Sequence, residues 1–319
     1  MSFMMPNVED TKAFYEEKTN YSVFVLGAGA SSHLKYPLGA ELAQSIVDSC
    51  DEGKDGFCKL MEMGFEKEVI LDFREKFQHS TKITIDQFLA LRSEYAAIGK
   101  AAIAIELVKF EDRDELFKKV GNWYSYLSSL ASESIDHAEV KFCIVSFNYD
   151  RSLEYYLQGM FNTNYVERIG GEFKSKTIQN YVPIYKVHGS LGHIPEFVSE
   201  SPKRKYSCNV QPKELRLSSE KIMVPYELKE SGYTDDMTHA QKAIKNAEKV
   251  YFLGFGYDEV NLHRLGLALG NEHWGMKGQF KGTSFKLSSK IKNKILKMGV
   301  ELFDIELGQF MKDIESEYI

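Results

Sequence analysis

Positions 21–26, Tyr-Ser-Val-Phe-Val-Leu, form a nearly continuous apolar run that stops at a glycine. A run without polar alternation predicts a strand covered on both faces, the kind found in parallel sheets. Comparable runs recur at 141–147, 182–187, 221–224 and 250–255, with weaker ones at 282–285 and 300–303. Between them the apolar positions change to helical spacing. Leu38, Leu42 and Ile46 form one stripe over 38–47, with Pro37 near its start, and further helices are predicted over 151–157, 238–249, 259–269 and 288–298. The alternation of the two periods predicts an α/β fold, a Rossmann-like wound and mostly parallel sheet with helices on both faces. In such sheets ligands bind beyond the carboxyl ends of the strands, which directs attention to each strand end.

The segment 48–139 interrupts the alternation. It carries helical patterns at 64–77, 85–109 and 116–130, with Phe88, Leu89, Tyr95, Ile98, Ala102 and Ile105 at helical spacing in the second. It reads as a helical insertion after the first βα unit, packed on the sheet as a lid, within a single domain over 1–319. The polar stretch 196–215, with Lys203-Arg204-Lys205, reads as a solvated surface loop, phosphate binding being the alternative. Lys286, Lys290, Lys292, Lys294 and Lys297 lie opposite a stripe of Leu287, Ile291, Ile295 and Met298, as expected of a solvated terminal helix.

Composition narrows the function classes. The chain has 319 residues, 43% of them hydrophobic, and a net charge of -6, so it lacks the positive field that drives direct nucleic-acid binding. Cys50, Cys58, Cys143 and Cys208 include no Cys-x-x-Cys pair, and the histidines show no ligand spacing; no metal is expected. No apolar window approaches the roughly 18 residues of a membrane span. The N-terminal residues lack a basic n-region and an apolar h-region, so the expected location is cytoplasmic.

Four strand ends carry chemistry. After the first strand come Gly27, Ala28, Gly29, Ala30 and Ser31, a turn whose glycines permit close approach of a pyrophosphate and whose amides and Ser31 hydroxyl are candidate donors. Ser32 replaces the third glycine of the dinucleotide fingerprint, which weakens a plain dehydrogenase reading; a ligand-free tight turn is the alternative. Asn148 and Asp150 follow the strand at 141–147, as ribose or amide contacts, unless Asp150 only caps the next helix. His188 ends a third strand and is a candidate general base. Gly254, Phe255 and Gly256 form a second glycine pair, with Asn261 beyond, suited to the adenosine half of a dinucleotide or to a buried turn.

In this order, Gly-Ala-Gly-Ala-Ser, Ser-Phe-Asn-Tyr-Asp, Lys-Val-His-Gly-Ser and Leu-Gly-Phe-Gly resemble the sirtuin-like superfamily. The chain is most similar to its bacterial branch of NAD hydrolases in antiphage defence, which also shows Pro-Leu-Gly after the first motif and Ile-Asp-x-Phe-Leu in the insertion. Here these are Pro37-Leu38-Gly39 and Ile85-Asp86-Gln87-Phe88-Leu89, and the resemblance spans 21–303. It implies Asn148 and His188 as the catalytic pair and NAD as substrate, cleaved to nicotinamide and ADP-ribose. Asn148 is then expected to position the ribose and a water, His188 to accept a proton, and Asp150 to orient the ribose or nicotinamide side. The zinc-holding cysteine pairs and the Gly-Ile-Pro-Asp-Phe-Arg continuation of the protein deacylases are missing, which disfavours deacylation and ADP-ribosyl transfer. An NAD or ADP-ribose sensor without turnover is the alternative. Because free NAD hydrolysis is toxic, a gate is expected: the insertion as lid, a homo-oligomer, or a HerA-type DNA-translocating ATPase partner.

Overall fold

The computed structural model describes residues 21–195, 204–224, 234–267 and 279–318. Among them, six strands form one sheet: β1 (Ser22–Leu26), β2 (Phe142–Ser146), β3 (Ile184–Lys186), β4 (Lys249–Leu253), β5 (Gln279–Thr283) and β6 (Glu301–Phe303). Their order is β3-β2-β1-β4-β5-β6 and every pairing is parallel. The fold is therefore Rossmann-like α/β, and the winding reverses between β1 and β4, where such sheets open a crevice.

Side-chain alternation explains the apolar runs. Phe24 and Leu26 enter one core with Phe142, Ile144, Tyr251 and Leu253, while Val23 and Val25 enter the other with Cys143, Val145, Val250 and Phe252. Both faces are covered, so a polar side chain at positions 23–26 of β1 would be buried and would need a hydrogen-bond partner. The first core takes in the insertion helices together with Phe310, Met311 and Ile314 of the helix Leu307–Tyr318. The second is closed by the helices Asp235–Asn246, Glu259–Arg264 and Ser289–Lys297.

The pattern at 85–109 divides into Ile85–Leu89, a short turn at Ser93–Tyr95 and Ala96–Val108. The break lets Phe88 and Tyr95 stack at 5.7 Å in one cluster with Phe73 and Phe77. It also frees Ala96–Val108 to run buried on almost every side through the insertion. That segment of the chain thus packs on one sheet face and shares its core.

Other expectations change. Residues 221–224 form no strand: Ile222 makes only an isolated antiparallel bridge to Gly189, beyond the end of β3. Residues 204–215 are not simply a solvated loop, because Arg204 is buried and a helix begins at Pro212 (Pro212–Glu220); the rest of the stretch, 196–203 with Lys203, lies outside the described residues. The lysine-rich helix is not terminal, since Leu307–Tyr318 follows it, and Lys286 precedes its first turn. No helix of the described residues is long and apolar enough to cross a membrane.

Candidate functional site

The turn after β1 and the turn after β4 touch backbone to backbone. A Cβ at Gly27 would meet Gly254 O and Phe255 Cα at 2.7 Å, and one at Gly29 would meet Gly254 Cα at 2.9 Å. Gly254 has φ +56°, and its own Cβ would lie 2.2 Å from Ala30 N. The glycines at these strand ends thus answer first to each other. Gly27 N donates to Leu253 O (3.1 Å), Gly29 N to Gly254 O (2.9 Å) and Ala30 N to Gly27 O (2.9 Å), so these three amides are committed within the protein.

Ser31 ties the first motif to the second. Its buried hydroxyl donates to Asp150 Oδ2 at 2.7 Å and accepts from Asn148 Nδ2 at 3.2 Å. The other Asp150 oxygen accepts the Ser152 amide at 3.1 Å and the Ser152 hydroxyl, at the start of the helix Ser152–Phe161. Asp150 therefore does cap the helix, and it also orients Ser31. Lys186 Nζ donates to Asp150 O at 2.6 Å, fixing the loop from behind. Asn148 is 9% exposed and Asp150 5%.

His188 sits directly beyond β3, 4% exposed, with its ring edge-on to Phe147 (5.0 Å) and 6.1 Å from Tyr149. Gly189 follows with φ +68°, where a Cβ would lie 2.0 Å from Lys221 O, so no other residue fits after the histidine. Nε2 meets Arg264 Nη1 at 2.7 Å. Arginine only donates, so Nε2 accepts and the neutral ring carries its proton on Nδ1. Burial first, and the guanidinium second, push the imidazole pKa down to about 3. In this arrangement the lone pair expected of a general base is occupied. Tyr149 donates its hydroxyl to Asp86 Oδ1 at 2.6 Å, and burial raises the Asp86 carboxyl pKa against the lowering effects of that bond and of Arg264.

Phe147 joins the remaining motifs, since its ring packs on His188 and, at 5.2 Å, on Phe255. A cleft of about 800 Å³ opens beside this junction, beyond β1, β4 and β5. Such a volume suits a small-molecule site, typically roughly 300–1,000 Å³. Ala28, Gly29, Gly254, Phe255 and Gly256 line it, as expected of them. Gly27, Ala30, Ser31, Asn148, Asp150 and His188 are buried and do not line it, nor does Asn261, which lies on the helix that carries Arg264.

The insertion supplies one wall of the cleft. Trp123 Nε1 donates to Ala30 O at 2.8 Å, and His33 Nε2 pairs with Asn122 Oδ1 at 3.2 Å. Asn122 Nδ2 is committed to Leu116 O, so His33 is the donor. Behind the site, Glu111 accepts paired bonds from Arg151 (2.9 and 2.7 Å) and Arg204 (both 2.7 Å), all three buried. This clamp joins the insertion, the loop after β2 and the segment at 204. Among the described residues no three His, Cys, Asp or Glu side chains group as metal ligands.

Sequence reasoning missed Arg264, Glu111, Trp123, Thr283 and Lys286. Thr283 Oγ1 accepts the Gly254 amide at 2.9 Å at the end of β5, and Lys286 lines the cleft. Only Thr283 carried a signal, as the last residue of a strand. No protein-family model matches the chain, and no curated protein matches it.

Proposed function

We propose that the protein is an NAD glycohydrolase that cleaves the nicotinamide–ribose bond to give nicotinamide and ADP-ribose. One observation carries this reading: the four strand-end motifs meet around one point, through Ser31 with Asn148 and Asp150, Phe147 with His188 and Phe255, and Gly29 with Gly254. That point adjoins a cleft at the β1/β4 reversal, where dinucleotides bind in wound sheets. In the proposed complex the adenosine half occupies the cleft, Lys119 and Lys286, which both line it, meet the pyrophosphate charge, and the nicotinamide ribose reaches Asn148 and His188.

The chemistry makes modest demands. Nicotinamide in NAD is a pyridinium, so it leaves neutral with the bonding electron pair and needs no general acid. What needs stabilisation is positive charge on the ribose, which water then traps at C1′. Asn148 is suited to orient the ribose and that water, and Asp150 to hold Asn148 through Ser31. The resemblance to sirtuin-like defence enzymes adds the expected setting: a cytoplasmic, antiphage NAD-depleting effector, gated by homo-oligomerisation or by a HerA-type ATPase. Incubation of the purified chain with NAD, with nicotinamide release followed by chromatography, tests the reading directly.

A second reading, an NAD or ADP-ribose sensor without turnover, is favoured by the occupied Nε2 of His188. Calorimetric binding with NAD left intact would select it.

A further inference from the structure

We infer that Arg264 is a positioning residue for His188: by donating to Nε2 it fixes the imidazole as the Nδ1–H tautomer, so that His188 offers the nicotinamide ribose a hydrogen-bond donor instead of a base. The inference rests on the glycohydrolase reading of the site.

The geometry leaves one arrangement of protons. Arg264 Nη1 lies 2.7 Å from Nε2, and both residues are buried, His188 at 4% and Arg264 at 6% exposure. Water therefore competes weakly for either group. Among the described residues no protein group bonds Nδ1, which leaves that N–H for a ligand. A turn of the ring that exchanged its nitrogens would break the bond to Arg264, and Phe147, edge-on at 5.0 Å, and Tyr149, at 6.1 Å, pack against the imidazole. His188 is also anchored along its backbone, where Met223 N donates to His188 O at 2.9 Å.

The charged and titratable groups around the ring come from three elements. Tyr149 follows β2 and its hydroxyl is committed to Asp86 of the insertion helix Ile85–Leu89. Arg264 ends the helix Glu259–Arg264, and Asp258 caps the start of that helix. Asp86 feels both Arg264 and Asp258. The guanidinium is thus the one charge in hydrogen-bond contact with the imidazole among the described residues, and it opposes a second positive charge on the ring.

A donor at His188 is compatible with the bond changes. The C1′–N bond breaks with both electrons going to the pyridinium nitrogen; water oxygen bonds C1′ and releases its proton to solvent. No step requires the imidazole to take a proton. Its Nδ1–H instead holds a ribose hydroxyl oxygen and so aligns the sugar for departure of nicotinamide.

The test uses the full chain with ring-¹⁵N histidine, the His188 signals being identified by their loss in His188→Gln. The expected wild-type spectrum shows a protonated Nδ1 and an unprotonated Nε2 that do not titrate between about pH 7.5 and 5, a range that spans the ordinary histidine value of about 6.5. Arg264→Gln retains an N–H donor but no charge: the tautomer persists, and the ring pKa rises in part while burial, the larger cause, still holds it below the ordinary value. Arg264→Met loses the tautomer, and kcat falls about 100-fold with little change in KM. Turnover by Arg264→Met at or above the wild-type rate overturns the inference, as does an Nε2–H ring in an NAD-hydrolysing wild type; the glycohydrolase reading survives either result. A wild type that leaves NAD intact while showing the Nδ1–H ring removes the glycohydrolase reading and the catalytic role, and upholds the tautomer assignment alone.

Discussion

Acid should destabilise this protein through His188, and replacing that histidine should remove its share of the effect. In the folded chain the imidazole is buried against Arg264 and its pKa is pushed down to about 3. In the unfolded chain it returns to about 6.5. Between these values the unfolded state binds a proton that the folded state refuses, so stability falls as pH drops from about 6.5 and the loss is complete near 3. The slope is about 1.4 kcal/mol per pH unit, which gives about 2 kcal/mol between pH 6.5 and 5 and about 5 kcal/mol in full, both upper values because the site can relax. His33, whose pKa is also lowered by burial, adds a smaller loss in the same direction. Asp86 works against it: its raised carboxyl pKa makes the folded state take up a proton first, which favours folding as pH falls. Both contributions are common to wild type and His188→Gln, so the difference between the two proteins isolates His188. Urea unfolding at a series of pH values from 7.5 to 5 reads that difference, and the stability of His188→Gln should fall about 2 kcal/mol less across the range. Parallel pH dependences for the two proteins would refute the reasoning.

Three further outcomes follow from the packing. Glu111→Gln leaves Arg151 and Arg204 buried together without a counter-charge, at a cost of about 3–5 kcal/mol that denaturant unfolding will report. Gly254→Ala forces a Cβ to within 2.2 Å of Ala30 N at a positive φ, so the two strand-end turns must part; a loss of about 1–3 kcal/mol is expected, and unchanged unfolding would contradict the backbone contact. Trp123→Phe removes the indole donor to Ala30 O while keeping the aromatic bulk, and should raise the KM for NAD more than it lowers kcat if the insertion forms the cleft wall.

The sheet was legible because a strand covered on both faces leaves no room for polar alternation: β1, β2 and β4 appear at their apolar runs with ends shifted by a residue or two. Residues 221–224 are also mostly apolar, yet Ile222 makes only an isolated antiparallel bridge to Gly189, a tertiary fact that a local pattern does not contain. Phe88 and Tyr95 fit one helix by spacing, but stacking in a shared aromatic cluster favours a break between them. At the site, strand ends announced Asn148, Asp150 and His188, because parallel strands deliver their last residues to one edge. The glycines were foreseen for a phosphate and turn out to be required by each other. Arg264 lies 76 positions from His188, and Arg204 lies 93 from Glu111; an arginine in a polar stretch carries no local mark of burial.

Release of nicotinamide from NAD by the purified chain, alone and with a HerA-type ATPase, is the most direct test of the proposed activity. The expected result is nicotinamide and ADP-ribose in equal amounts, abolished by Asn148→Ala and by His188→Ala in variants that still fold. Intact NAD under every condition, or full turnover by both variants, would contradict it.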